Sequence, residues 1–122
     1  MIGTSVVTPT FHYHPSVVSQ AMGTLGVLFP NRVMLGIGTG ESLNEVPAIG
    51  IAWPEFRERF ARLREAVTLM RRLWSEDRVT YKGTYYKTYS ATIYDRPPRG
   101  SRCSSPPADR RWPDMPGAWA TE

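Results

Sequence analysis

Val33-Met34-Leu35-Gly36-Ile37-Gly38-Thr39-Gly40-Glu41-Ser42-Leu43-Asn44-Glu45 is the stretch on which the reading of the fold turns. Its opening apolar run reads as a buried strand bounded by turn signals. Gly36, Gly38 and Gly40 then let the backbone approach something bulky, with no Cβ in the way. Thr39, Glu41 and Asn44 place a hydroxyl, a carboxylate and an amide just past the carboxyl end of the strand. Parallel α/β folds bind ligands at that end. A plain glycine-rich turn would look the same, because Gly-x-Gly-x-Gly by itself specifies no ligand.

Upstream, Ile2 and Val6-Val7 form a first strand that Thr8-Pro9 stops, with the Ser5 and Thr8 hydroxyls near its end. Phe11-His12-Tyr13-His14 is a loop, and Pro15 suits the first position of a helix. Val17, Val18, Ala21, Met22, Leu25 and Leu28 then recur at helical spacing. Pro30-Asn31-Arg32 turns the chain into a second strand, from about Arg32 to Gly36. Strand, helix and strand in this order make a βαβ unit, which implies parallel neighbours and a right-handed crossover. His12-x-His14 has no third ligand candidate nearby, so it reads as loop residues and no metal is expected.

Downstream, Val46 to Ala52 reads as a small apolar loop, and a second long helix starts near Pro54. Trp53, Phe56, Phe60, Leu63, Val67, Met70 and Trp74 fall on one face of it and are expected to be core. Val79 to Tyr89 alternates around Gly83 and reads as a short hairpin excursion on the surface. From about Arg96 the prolines lie among Arg, Ser, Ala and Trp with no period, the composition of a disordered tail.

At 122 residues the chain fits one domain by length, and 41% hydrophobic residues can build a core. No apolar run approaches the roughly 18 residues of a membrane span, and the N-terminus lacks the order of a signal peptide. The single cysteine, Cys103, excludes an internal disulfide, so a cytoplasmic location is the default. A net charge of +4 invites a nucleic-acid partner. The arginines of the second long helix are interleaved with Glu55, Glu58 and Glu65, however, which describes a solvated face rather than a phosphate-binding stripe. Neither a nucleic-acid nor a membrane partner is expected.

Several blocks match a known family. They are Gly3-Thr4-Ser5-Val6-Val7-Thr8-Pro9-Thr10-Phe11, Pro30-Asn31-Arg32-Val33, Leu35 to Glu45, Trp53-Pro54-Glu55-Phe56 and Glu58 to Glu65. With these the chain closely resembles the dehydrogenases of glucose 6-phosphate that depend on the deazaflavin coenzyme F-420, members of the bacterial-luciferase-like superfamily of (β/α)8 barrels. The similarity covers about Met1 to Pro97, and the Gly36–Glu45 and Trp53–Glu65 blocks are specific to this branch. The resemblance implies a partial barrel: strands three and four with their helices, then a hairpin. It implies that Ser5-Val6 sits at a bulge, with a non-prolyl cis peptide, that backs the deazaflavin ring. Thr8, Thr39, Gly40 and Asn44 match coenzyme-contacting positions. Glu41 matches the acid that assists proton transfer while hydride passes from an alcohol or sugar-phosphate carbon to the coenzyme. Full-length relatives are expected to be homodimers.

The family's first two strands, its active-site Asp-His pair and its sugar-phosphate ligands have no counterpart in these residues. Glucose 6-phosphate is therefore not assigned as the substrate. Two other readings remain: an FMN-dependent monooxygenase of the same fold, which the branch-specific motifs count against, and a pseudogene-like fragment without function. A choice of codons for Gly100 to Pro113, read one base out of register, spells the strand with which the family continues. The segment from about Arg99 to Glu122 is accordingly read as frameshifted. Genomic DNA decides this, and a shifted frame that stops within a few codons refutes it.

Overall fold

A computed structural model describes residues 2–96 of the chain. The expected tail, 98–122, lies outside the described residues. The elements run β1 (Ile2–Val7), α1 (Pro15–Leu28), β2 (Val33–Ile37), α2 (Ser42–Ile49), α3 (Phe56–Ser75), β3 (Val79–Lys82) and β4 (Lys87–Ala91).

The first three elements are the expected βαβ unit, with β1 and β2 paired in parallel. Pro15 is the first helical residue of α1, where its missing N–H costs nothing. His14 caps the helix, its Nδ1 accepting from the Ser16 amide at 3.2 Å and lying 2.7 Å from the Ser16 hydroxyl. Partial burial lowers the His14 pKa below the ordinary imidazole value. That favours the neutral ring, the only form whose Nδ1 can accept.

The β1–β2 ladder is regular from Ile2 opposite Val33 to Thr4 opposite Leu35, then slips, and resumes with Val7 opposite Ile37. Ser5 and Val6 thus face Gly36 alone, which is a bulge. The Thr4 hydroxyl bridges the slip, donating to the Gly36 carbonyl at 2.9 Å and accepting from the Gly36 amide at 3.1 Å. A Cβ on residue 36 would stand 2.3 Å from the Thr4 carbonyl oxygen, so only glycine fits there.

Helix α3 buries Leu63, Met70 and, in part, Val67 and Trp74 of the expected face, but the buried surface is wider than expected and leaves out its N-terminal aromatics. Leu63, Ala66, Leu69, Met70 and Leu73 are buried, whereas Phe56 is 61% exposed and Trp53 precedes the helix. The reason is that α3 serves two partners rather than one. Met70, with Val67 and Trp74 beside it, packs on Val18 and Met22 of α1 and on Val7, Val33 and Leu35 of the strands. Trp74 Nε1 also donates to the Ser19 carbonyl at 2.9 Å. Ala66, Leu69 and Leu73 instead pack on Val79, Tyr86 and Ile93.

That second contact makes the β3–β4 hairpin part of the core, not a surface excursion. Glu65, expected on a solvated face, turns its carboxylate into the hairpin turn. It accepts from the amides of Thr84 at 3.1 Å, Tyr85 at 3.0 Å and Tyr86 at 2.8 Å. Glu58–Arg62 and Arg72–Glu76 form half-buried i,i+4 pairs, as charges interleaved along a helix can. The Tyr86 hydroxyl reaches across to donate to the Thr10 carbonyl at 3.1 Å, and burial pushes its pKa up to about 12.

Residues 46–52, expected to be a loop, belong largely to α2. Pro47 inside the helix and its eight-residue length erase the periodic signal. Gly50, at φ 66°, closes the helix with its amide on the Val46 carbonyl at 2.8 Å. Among the described residues no helix is long and apolar enough to cross a membrane.

Replacing Glu65 by Ala leaves three turn amides without their acceptor. At about 1–3 kcal/mol for a stranded donor, less at Thr84 where water reaches the amide, a loss of that order is expected in urea unfolding. Amide exchange should quicken at residues 84–86 before it does in α1. Unchanged protection at those amides would contradict the anchoring role.

Candidate functional site

Beyond the bulge, β1 and β2 stay linked for one more bond, from the Gly38 amide to the Val7 carbonyl at 3.1 Å. The chain then runs through Thr39 and Gly40 into α2, whose N-cap is Glu41. One rim at the carboxyl end of the two strands therefore carries the bulge residues Ser5 and Val6 with Thr8, Thr39, Gly40, Glu41 and Asn44. Sequence proximity in β2–α2 and strand pairing with β1 bring these seven positions together.

The rim has an apolar patch and a polar one. Val6 is 55% exposed, and a Cβ on residue 38 would stand 3.1 Å from its Cγ2. A valine face thus lies open above a glycine backbone. The polar patch is Glu41, whose carboxylate does not fold back to cap α2. Its Oε2 accepts from Asn44 Nδ2 at 3.3 Å, and both residues are solvent-exposed. An exposed carboxylate beside an amide donor can accept a proton or a ligand hydroxyl without unfolding its helix.

Gly40 adopts φ 84°, a left-handed conformation that L side chains rarely take. A Cβ there would meet Glu45 Oε1 at 3.0 Å, Thr8 Cγ2 at 3.0 Å and Trp53 Cη2 at 3.1 Å. Trp53 in turn packs on Phe11, with ring centroids 5.3 Å apart. The Arg59 guanidinium lies 4.9 Å over the Trp53 ring and donates to the Pro54 carbonyl at 2.8 Å. The Trp53-Pro54 block therefore supports the glycine loop and is not a stripe of helix core.

Two residues of this neighbourhood escaped sequence reasoning. Glu45 is buried, and its Oε2 lies 2.5 Å from His12 Nε2 without hydrogen-bond alignment. Helical spacing gave no signal, since residues one turn apart share a face and yet Glu41 is exposed while Glu45 is buried. His12 lies, as expected, in the loop between β1 and α1.

A parallel βαβ unit with polar loop residues gathered at its carboxyl end is the arrangement found in α/β barrels. The sequence profile of the luciferase-like monooxygenase family matches residues 1–109, and the chain belongs to that family. It is 71% identical over 98 residues to an F-420-dependent glucose-6-phosphate dehydrogenase of Intrasporangium calvum, a match over 79% of this chain and 29% of the relative. The corresponding enzyme of Mycobacterium tuberculosis is 62% identical over 102 residues, covering 82% of this chain and 30% of the relative. The fold also superposes on a solved F-420-dependent secondary alcohol dehydrogenase in complex with an F-420–acetone adduct. The TM-score is 0.76 at 39% identity, over 80% of this chain and 30% of that one. The chain thus spans about 30% of the length of the relatives it matches.

Two glycines at similar φ separate backbone strain from packing. Gly50 has φ 66° and open space around its missing Cβ, whereas Gly40 is hemmed in on three sides. Gly50→Ala should lower stability by about 1–2 kcal/mol, the left-handed term alone. Gly40→Ala should lower it further, because Glu45, Thr8 and Trp53 must also shift. Equal losses in chemical denaturation would show that the loop is not packed as described.

Proposed function

We propose that this chain is the coenzyme-binding part of an F-420-dependent dehydrogenase acting on an alcohol or sugar-phosphate CH–OH group. The observation that carries the reading is the convergence of the Ser5–Val6 bulge and the Thr39–Asn44 loop on one rim. The family membership and the F-420-dependent relatives support it from outside the site. The residues present fit a flat heteroaromatic group. The bulge leaves Val6 open as an apolar backing, and glycine backbone lies directly beneath that side chain.

When bound, the deazaflavin supplies a hydride acceptor. The chain supplies everything else within its reach. Ser5 and Val6 back the ring, and Thr8, Thr39, Gly40 and Asn44 hold it in place. Glu41 receives the substrate hydroxyl proton at Oε1, the oxygen not engaged by Asn44. Asn44, through Oε2, keeps the carboxylate turned toward the rim. In this reading residues 1–97 are the barrel segment. Residues 98–122 are a frameshifted tail, of which the family match still covers the part up to 109. The complete enzyme is a cytoplasmic homodimer.

Fluorescence titration of the 122-residue chain with F-420 and with FMN tests the coenzyme. F-420 should bind saturably and at least about tenfold more tightly than FMN, a difference of about 1.4 kcal/mol. Thr39→Ala and Asn44→Ala should each weaken F-420 by about the same factor. Tighter binding of FMN would transfer the site to the monooxygenase reading, and binding of neither would refute both.

A further inference from the structure

The most unusual charged group in the fold is Glu45. It sits in the first turn of α2, where a carboxylate normally points outward to water and toward the helix's positive end. Instead its side chain folds under the glycine loop and is 9% exposed. Oε1 lies against the vacant Cβ position of Gly40, alongside Thr8 and Trp53. Oε2 lies 2.5 Å from His12 Nε2 on the β1–α1 loop. A buried carboxylate is costly unless it is paired, and leaving one partner uncompensated is destabilising. The remaining charged groups around it are arranged differently. Glu41 points to the exposed rim, and Arg59 and Arg62 of α3 lie over the rings of Trp53 and Phe11.

We propose that the Glu45–His12 contact is a clasp that positions the coenzyme loop. It ties the start of α2, which carries Glu41 and Asn44, to the segment that carries Thr8, with Gly40 held between. Glu45 and His12 are positioning residues, acting through the loop rather than on the coenzyme. The proposal rests on the coenzyme reading above for its consequence, but the clasp itself is a property of the chain without coenzyme. The geometry makes the claim specific. Removing the Glu45 side chain takes away one of the three groups packed beneath Gly40, and removing the His12 ring leaves the buried Oε2 without its close contact. Because His12 is 32% exposed on its side chain, a longer cation can replace it and still reach Glu45.

The test uses the variants H12Q, E45Q, H12Q/E45Q and H12R of the complete chain, with two readouts. Amide exchange over Thr39–Asn44, measured without coenzyme, should quicken about tenfold in H12Q and in E45Q. It should quicken no further in the double variant, and it should return to within about threefold of the parent in H12R. F-420 affinity should follow the same order, with losses of about tenfold. Thermal unfolding shows whether each variant is folded, and H12R keeps the comparison decisive if E45Q is not. Additive effects of the two substitutions, or an H12R variant as loose as H12Q, would overturn the clasp. If exchange follows the expected order but the parent chain binds no F-420, the clasp stands and the coenzyme reading falls.

Discussion

The slip in the β1–β2 ladder opposite Gly36 is the constraint on which the site depends. Parallel strands cannot lose register freely where both faces matter, so a slip persists only if its stranded backbone groups find partners. Here the Thr4 hydroxyl supplies them, bonding both the carbonyl and the amide of Gly36. Glycine at 36 is what permits the approach, since any Cβ would strike the Thr4 carbonyl. The consequence is that Ser5 and Val6 are freed from ordinary pairing just where β2 hands over to the Gly38–Gly40 loop. Fold and candidate site are therefore joined at one residue pair.

Behind that rim, α3 holds the structure as a two-sided wall. Its Met70 side closes on the βαβ unit, and its Leu69 and Leu73 side closes on the hairpin. Trp74 touches both clusters and bonds the Ser19 carbonyl, while Glu65 fixes the hairpin turn through three backbone amides. The Tyr86 hydroxyl then completes a circuit back to Thr10, two residues beyond Thr8. Hairpin and candidate rim are thus connected through the β1–α1 loop.

Much of this was legible in the residues. The strands, α1, the parallel pairing and the hairpin followed from apolar runs and turn signals, because each is a local pattern reinforced by its neighbours. Helix α2 was not legible, since Pro47 and its short length left no period to read. On α3 the stripe through Leu63, Val67, Met70 and Trp74 was legible, whereas Ala66, Leu69 and Leu73 were not, because a helix with two partners buries positions beside that stripe as well. At the site, Thr39, Glu41 and Asn44 stood out by chemistry. Glu45 and His12 did not, because a contact between residues 33 positions apart has no sequence period. Nor did Glu65 announce that its carboxylate would leave a row of surface charges for a turn of backbone amides.

Amide shifts of the isotopically labelled chain on addition of F-420 test the central claim most directly. Bulge and loop are held to be one coenzyme-binding rim, so the largest changes should fall together on Val6 to Thr8 and on Thr39 to Glu45. Changes centred on the β3–β4 hairpin, or confined to only one of the two segments in a folded spectrum, would contradict it.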